Sequence, residues 1–197
     1  MTEIINKDIL IQEKIEFATF WSRAGAYIAD GIMIGAFSII INAINISNFK
    51  SFLMYLSAAT ISILYKPFME HKYGATFGKM IFKLKVSDRN LNQIDFKQSF
   101  FRSFILMLPT ILFVPIYYLA LNNPNLTKST ELIDFAQALS IEYPMVGWIN
   151  NLIFIILIIE IVVLLTDQTK TRRSLHDRIA KTFVTYTESN KKITTNS

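Results

Sequence analysis

Three polar residues near the start of the first long apolar segment have the chemistry of a charge site. Arg23, Tyr27 and Asp30 are four and three positions apart, so they share one face of a helix. At a helical rise of about 1.5 Å per residue, Asp30 lies about 10 Å deeper than Arg23. An acid at that depth in a membrane costs about 2.5 kcal/mol or more, so it should face the bundle interior or water. We therefore expect Asp30 to bind a proton or a small cation, with Arg23 setting the charge near the entrance.

Glu160 is the second acid within an apolar segment. It lies about 9 Å from the end of the last segment, at a depth similar to that of Asp30. If the first and last helices are neighbours, the two carboxylates could share one proton or ionise around a cation, which is the basis of proton-coupled cation exchange. The alternative is structural: Asp30 would pair with Arg23, Arg102 or a tail arginine, and a protonated Glu160 would bond a neighbouring backbone.

Four apolar segments must position these residues. The chain is 52% hydrophobic and 18% charged, against about 25% charged residues in soluble domains. Each segment is long enough to span a bilayer, which predicts an all-α membrane protein with four transmembrane helices. We expect the second to end near Pro67, Pro109 and Pro115 to kink the third, and Gly31 and Gly35 to allow close helix packing. The predicted spans are about 20–46, 52–68, 100–121 and 148–166.

The positive charges predict the orientation of these spans. Of the 20 Lys and Arg residues, 18 fall before the first span, between the second and third, or after the fourth, when the adjoining ends of those spans, with Arg23, Lys66 and Arg102, are included. Basic residues are retained in the cytoplasm during insertion, so both termini should be cytoplasmic. The same residues should contact anionic headgroups, which accounts for the net charge of +5 without a nucleic-acid partner.

The connections predict smaller elements. The segments MIFKLKVSD and AKTFVTYTE have strand-like character, and we expect them to pair as a ribbon at the cytoplasmic face. Leu132, Phe135, Ala136 and Leu139 form one apolar stripe, which predicts a helix on the outer leaflet or capping the bundle. We expect residues 1–19 to be a cytoplasmic segment, 20–186 the transmembrane domain and 187–197 a disordered tail.

Several kinds of chemistry are not indicated. The chain has no cysteine, and two histidines make a poor metal site, so we expect neither a metal nor a cofactor. The run from Gly74 to Lys79 is one residue short of a phosphate loop and is followed by Met80 rather than Ser or Thr. We predict a tight surface turn there, with Lys79 on a headgroup. Ser174, His176 and Asp177 are too close together for a nucleophilic triad, so no enzyme is predicted.

Three stretches together resemble the RDD family of small bacterial membrane proteins: FWSRAGAYIADGIMIG, GATFGKMIFKLKVSD and RRSLHDRIAKTFV. Arg23 and Asp30 match the family's arginine and first aspartate; Asp177 matches the second, with Asp88 as the alternative. The resemblance implies a transport-related protein of the bacterial inner membrane, and some members look like sodium–proton antiporters. Glu160 is not part of the family pattern. Because four spans are few for a transporter, a homo-oligomer could be needed to enclose a pathway.

Two functions therefore remain open. The first is transport of a small cation, by exchange for protons, through Asp30 with help from Glu160. The second is a non-transporting membrane factor that assembles or regulates a partner complex. In its strongest form, Arg23 and Asp177 join a charge network that holds the first and last helices together. The tail arginines expected in that network are Arg172, Arg173 and Arg178.

Overall fold

The computed structural model describes residues 15–167, 171 and 173–187, and most of these residues are helical. Within these ranges, four helices are long and apolar enough to cross a membrane. They are α1 (Phe20–Ile44, continued by a wide turn at Asn45–Phe49), α2 (Phe52–Tyr73), α4 (Phe96–Leu121) and α6 (Met145–Thr166). The shorter elements are α3 (Phe77–Ile81), α5 (Leu132–Glu142), α7 (Leu175–Ile179) and the strands β1 (Leu84–Ser87) and β2 (Phe183–Tyr186).

Two helix ends differ from the predicted bounds because capping residues determine where the helix stops or starts. Helix α2 does not end at Pro67 but continues to Tyr73, and Gly74 terminates it at a φ of +73°. The Pro67 carbonyl accepts a hydrogen bond of 2.8 Å from the Ser99 hydroxyl, which ties α2 to α4. Helix α4 starts before the predicted span because Asp95 and Gln98 form a capping box. It is continuous past both of its prolines.

The long helices pack in chain order, with α1 against α2, α2 against α4, and α4 against α6. A hydrogen bond of 3.2 Å between the Ser38 and Ser62 hydroxyls links α1 to α2 within the apolar region. A Cβ added at Gly31 or Gly35 would meet no atom within 4 Å. The close packing predicted at these two glycines is therefore not made with any described residue.

Helix α5 caps one end of the bundle. Phe135 and Leu139 are buried in a core formed with residues from the long helices, and in the same core the Tyr55 and Tyr117 rings stack with centroids 3.9 Å apart. Ala136, predicted to share the stripe, is exposed instead. A helix lying across the bundle buries a narrower stripe than the sequence pattern suggests.

The opposite end carries a short β-ribbon, and we call it the ribbon end. Strands β1 and β2 are antiparallel, with Leu84 opposite Tyr186, so the two predicted segments do pair. The Ala18 N–H donates to the Val184 carbonyl at 2.9 Å, and this adds the chain before α1 to the edge of β2. Residues 1–14 of the predicted N-terminal segment and 188–197 of the predicted tail lie outside the described residues.

Candidate functional site

Asp30 is held by three hydrogen-bond donors from α2 and from the start of α3. Its Oδ1 accepts from the Gly78 backbone N–H at 2.7 Å and from the Tyr65 hydroxyl at 2.9 Å. Its Oδ2 accepts from the Thr76 hydroxyl at 2.5 Å. The Phe77 N–H in turn donates to the Tyr65 oxygen at 2.9 Å. Asp30 therefore acts as an anionic cap for the N-terminus of α3, a position that favours a carboxylate.

Helix α3 folds back along α1 in close contact. A Cβ at Gly78 would lie 2.2 Å from the Ala26 carbonyl oxygen, and a Cβ at Gly25 would lie 2.4 Å from the Phe82 ring. At Gly78 the near atom belongs to the backbone, so only glycine permits this approach. The side chains of α3 that point away from the bundle are the apolar Phe77, Met80 and Ile81. The predicted surface turn is thus a segment that re-enters the bundle beside α1.

A chain of buried charges of alternating sign connects five elements at the ribbon end. Arg102 is fully buried; its Nε donates to Glu70 at 2.8 Å and its Nη1 to Asp177 Oδ1 at 2.5 Å. Arg23 binds the other oxygen of Asp177, and Lys79 binds the other oxygen of Glu70. Because each buried charge has at least one opposite partner, the network avoids the cost of an isolated buried ion.

Burial and the neighbouring charges shift the pKa values of two network residues that lie outside the spans, Asp177 and Lys79. Burial alone would raise the pKa of Asp177, but the Arg102 and Arg23 guanidiniums outweigh it and hold that pKa well below its usual range. Burial lowers the pKa of Lys79 to about 8, although the neighbouring Glu70 carboxylate opposes this shift. Asp177 therefore remains ionised at physiological pH.

The network contains two of the expected site residues, but its other members differ from those expected. Arg23 and Asp177 are in contact. Arg178 instead pairs with Asp167 at 3.4 Å, Arg173 lies over the Phe183 ring, and Arg172 lies outside the described residues. Arg102 fills the role expected of the tail arginines. Lys79, predicted to contact a headgroup, is bound to Glu70, because the re-entrant α3 turns it inward.

The alternative match for the second aspartate has a local role. Asp88 Oδ1 accepts from the backbone N–H groups of Asn90 and Asn92, both at 2.8 Å, in the loop after β1. It thus stabilises a turn, as Asp side chains often do.

Glu160 meets the chain after the spans through His176. Its Oε2 lies 2.9 Å from His176 Nδ1, and its Oε1 accepts from the His176 backbone N–H at 3.3 Å. The side chains are 13% and 17% exposed. The second ring nitrogen, Nε2, lies 3.5 Å from Asp177 Oδ1. Burial is the main cause that lowers the pKa of His176; Lys66 acts in the same direction and Asp177 opposes it.

Asp30 and Glu160 have separate partners. The described hydrogen bonds of Asp30 come from α2, Thr76 and α3, and those of Glu160 come from His176. The first span packs on α3 and α2, and the last span packs mainly on α4, rather than on each other. The arrangement therefore does not bring the two carboxylates together as a hydrogen-bonded pair.

A crevice of about 150 Å³ lies between α1, α4 and α6. Tyr27 and Thr110 line it, and neither hydroxyl has a hydrogen-bond partner among the described residues. An unpaired hydroxyl at membrane depth costs free energy unless water or a ligand satisfies it. Ile156 and Leu157, which also line the crevice, are one helical turn before Glu160. The crevice and the Glu160–His176 pair are therefore neighbours along α6.

The comparisons with known proteins agree with this arrangement. The sequence matches the RDD family over residues 17–181, which includes most of the chain. The chain belongs to the RDD family. A comparison with curated proteins and one with solved structures gave no match for this RDD protein. The four apolar helices and the family together indicate a multi-pass membrane protein.

Sequence reasoning does not find several contacts that complete the site. It names Arg102 only as a possible partner of Asp30, whereas Arg102 pairs with Glu70. Glu70 follows the predicted end of the second span, where a buried acid is not expected. Thr76 and Gly78 belong to a Gly-x-Thr-x-Gly-Lys segment that the family resemblance had marked, but their partner Asp30 lies far away in sequence.

Proposed function

We propose that this RDD protein moves a small cation across the membrane in exchange for protons, using the crevice and the Glu160 carboxylate. One observation carries the proposal: a crevice with two hydroxyls that lack a partner in the described part of the chain lies one helical turn from a carboxylate hydrogen-bonded to a titratable imidazole. Hydroxyl and carboxylate oxygens are suitable ligands for a hard cation. The described residues hold no cluster of three or more metal-ligating side chains, which suits transient rather than permanent cation binding.

The proposal changes the roles expected of the two acids. The three donors of Asp30 come from groups that fix α3, so binding a cation there would compete with the fold. Among the described residues, Glu160 accepts hydrogen bonds only from the His176 backbone and ring, and it adjoins the crevice. We assign the cation to Glu160, a lining role to Tyr27, and the positioning of α3 to Asp30. Arg23 serves the charge network through Asp177.

The proposal includes location and assembly. We propose that the ribbon end faces the cytoplasm of a bacterial cell, where its basic residues contact anionic headgroups. Tyr27 is about half exposed, so the crevice is open on one side within a single chain. We propose that a second copy covers that side, and the mass of the purified protein in detergent tests this.

Single cysteines test the orientation cleanly, because the chain has none of its own. A cysteine at the exposed position Arg89, at the ribbon end, should resist a membrane-impermeant maleimide in intact cells. A cysteine at the exposed position Asn125, at the opposite end, should react. The reverse pattern would contradict the proposed orientation.

Flux in vesicles tests the function. The purified chain in liposomes should exchange an imposed sodium gradient for protons, followed with a sodium indicator and an internal pH dye. Glu160→Gln should abolish this exchange, because the variant loses the charge but keeps the shape. Glu142→Gln is the matched control: Glu142 is exposed on α5 at the opposite end. If Glu160→Gln transports like the unmodified protein, the assignment to Glu160 is wrong.

The second candidate is a non-transporting factor that assembles or regulates a partner complex. The observation that favours it is that Arg23, Asp30 and Asp177 all make contacts that hold elements together. Folded protein whose vesicles leak no faster than empty ones would support this candidate over transport.

A further inference from the structure

We infer that the Arg23 guanidinium binds a phosphate group at the ribbon end, through the edge formed by its Nε and Nη2 nitrogens. Its Nη1 already donates to Asp177 Oδ2. Nε and Nη2 are both buried, and neither has a hydrogen-bond partner among the described residues. This binding is separate from the proposed cation exchange, since it uses neither the crevice nor Glu160.

The unpaired edge of Arg23 has the shape that recognises a phosphate. The Nε–H and one N–H of Nη2 point in the same direction from the planar group, so they can donate together to two oxygens of one anion. Leaving both donors buried and unpaired costs free energy. The edge therefore lacks two acceptor oxygens that none of the described residues supplies, and a phosphate provides them.

The charge network has an excess positive charge that an anion at Arg23 would balance. It contains three cations and two acids, in the order Arg23, Asp177, Arg102, Glu70 and Lys79. Asp177 is shared between Arg23 and Arg102, so it neutralises neither of them fully. It lies on the Nη1 side of the Arg23 guanidinium, and the phosphate approaches the opposite edge. Opposite charges attract strongly where water is excluded, which favours an anion at this end of the network.

Arg102 has one unpaired nitrogen but no unpaired edge. Its Nη2 lacks a partner in the described ranges, yet its Nε donates to Glu70 and its Nη1 to Asp177 and Thr182. Its side chain is fully buried, whereas that of Arg23 is 9% exposed. Arg23 is therefore the guanidinium of this network that an added anion can approach.

The depth of Arg23 favours a phospholipid as the source of the phosphate. Arg23 lies in the first turn of α1, two residues after Trp21, which is 80% exposed. Exposed tryptophans are typical of the headgroup level at a membrane interface. A phospholipid of the adjoining leaflet brings its phosphate to that level, whereas free inorganic phosphate has to arrive from the aqueous side.

Native mass spectrometry of the full-length chain in detergent tests the site with three probes. Phosphatidylglycerol and a diacylglycerol with the same acyl chains differ only in the phosphate headgroup, and inorganic phosphate has no chains. Retention of phosphatidylglycerol that inorganic phosphate does not displace supports a lipid as the source. Displacement by inorganic phosphate supports a site that a free anion also reaches. Diacylglycerol bound as tightly as phosphatidylglycerol, or no binding of any probe, would overturn the site.

Arg23→Lys isolates the role of the edge, because lysine keeps the charge beside Asp177 but has no planar pair of donors. The affinity for phosphatidylglycerol should fall at least about tenfold, since two charge-assisted hydrogen bonds are lost. Arg178→Lys is the matched control: Arg178 is 48% exposed and pairs with Asp167, so its variant should keep the original affinity. An affinity of Arg23→Lys equal to that of the unmodified protein would contradict a phosphate at this edge.

Photolabelling of the unmodified protein tests the site even if Arg23→Lys does not fold. A phosphatidylglycerol with a diazirine in its headgroup, activated by light in vesicles that hold the full-length chain, should label residues 19–27. Excess unlabelled phosphatidylglycerol should suppress this label. A headgroup held only by surface charge would instead label exposed basic residues such as Lys181. The absence of a suppressible label from residues 19–27 would overturn the site.

Discussion

Gly78 donates its backbone N–H to the Asp30 carboxylate at 2.7 Å, at a point where α1 and α3 leave no room for a side chain. Gly78→Ala should therefore force the two helices apart. Overpacking of this kind costs about 1–3 kcal/mol, and the variant should lose the hydrogen bond as well. Thermal unfolding in detergent measures the effect. Gly35→Ala is the control, because a Cβ there meets nothing within 4 Å; equal losses for both variants would contradict the packing.

Substitutions of Asp30 distinguish between two roles for this residue, holding α3 in place and binding the cation. Asp30→Asn keeps an acceptor for the Gly78 N–H and should preserve most of the stability and flux. Asp30→Ala leaves the Gly78, Tyr65 and Thr76 donors without their acceptor and should destabilise the protein by about 1–3 kcal/mol for each group that stays buried. Unfolding and vesicle flux should be measured together. A stable Asp30→Asn variant with no flux would return the cation site to Asp30.

Loss of the Asp177 charge should destabilise the charge network. Asp177→Asn removes the charge between two buried arginines, and removing one partner of a buried pair costs about 3–5 kcal/mol. Arg178→Gln is the comparison, since Arg178 is 48% exposed and pairs with Asp167 at 3.4 Å. Such an exposed pair contributes at most about 1 kcal/mol. Chemical unfolding in mixed micelles ranks the two, and similar losses would show that the network does not stabilise the ribbon end.

Stability should fall on mild acidification because of His176. Its pKa is lower in the folded protein than its ordinary value of 6.5, so the unfolded chain binds more protons in this range. The contribution of His176 to the free energy of unfolding is fully present above about pH 6.5 and is lost as pH falls through the pKa of His176 in the folded protein. The unfolding temperature measured from pH 8 to pH 5 should decline less in His176→Gln than in His71→Gln. Identical slopes would show that the folded environment of His176 does not disfavour its charge.

Elements that depend on residues close together in sequence could be predicted, and elements that depend on contacts between distant segments could not. The alternation of Leu84 and Val86 with lysines marks a strand, and the stripe through Phe135 and Leu139 marks a helix, because these patterns are local. The path of α2 through Pro67 could not be predicted in the same way. A hydrogen bond from the Ser99 hydroxyl, on a helix distant in sequence, to the Pro67 carbonyl supports the continuous helix. The low helix propensity of proline alone predicts a break.

The contacts of the candidate site could be predicted from the sequence only to the same limited extent. The contact between Arg23 and Asp177 was foreseen as one possible network, since both residues lie near the same membrane face. The pairing of Arg102 with Glu70, and of Asp30 with the start of α3, depends on how α2, α3 and α4 meet in space. Charge and depth identified the residues that required partners, but not which partners they have.

The β-ribbon joins two segments that are far apart in sequence and are therefore synthesised at different times. Strand β1 is synthesised before α4 and α6, and β2 is synthesised after both. Until then β1 presents an unpaired edge, which is a site for incorrect pairing. Asp177, which Arg102 requires, arrives in the same late stretch. Closure of the ribbon therefore needs both segments, and a product truncated before α7 would keep an exposed edge on β1 and would leave Arg102 with Glu70 but without Asp177.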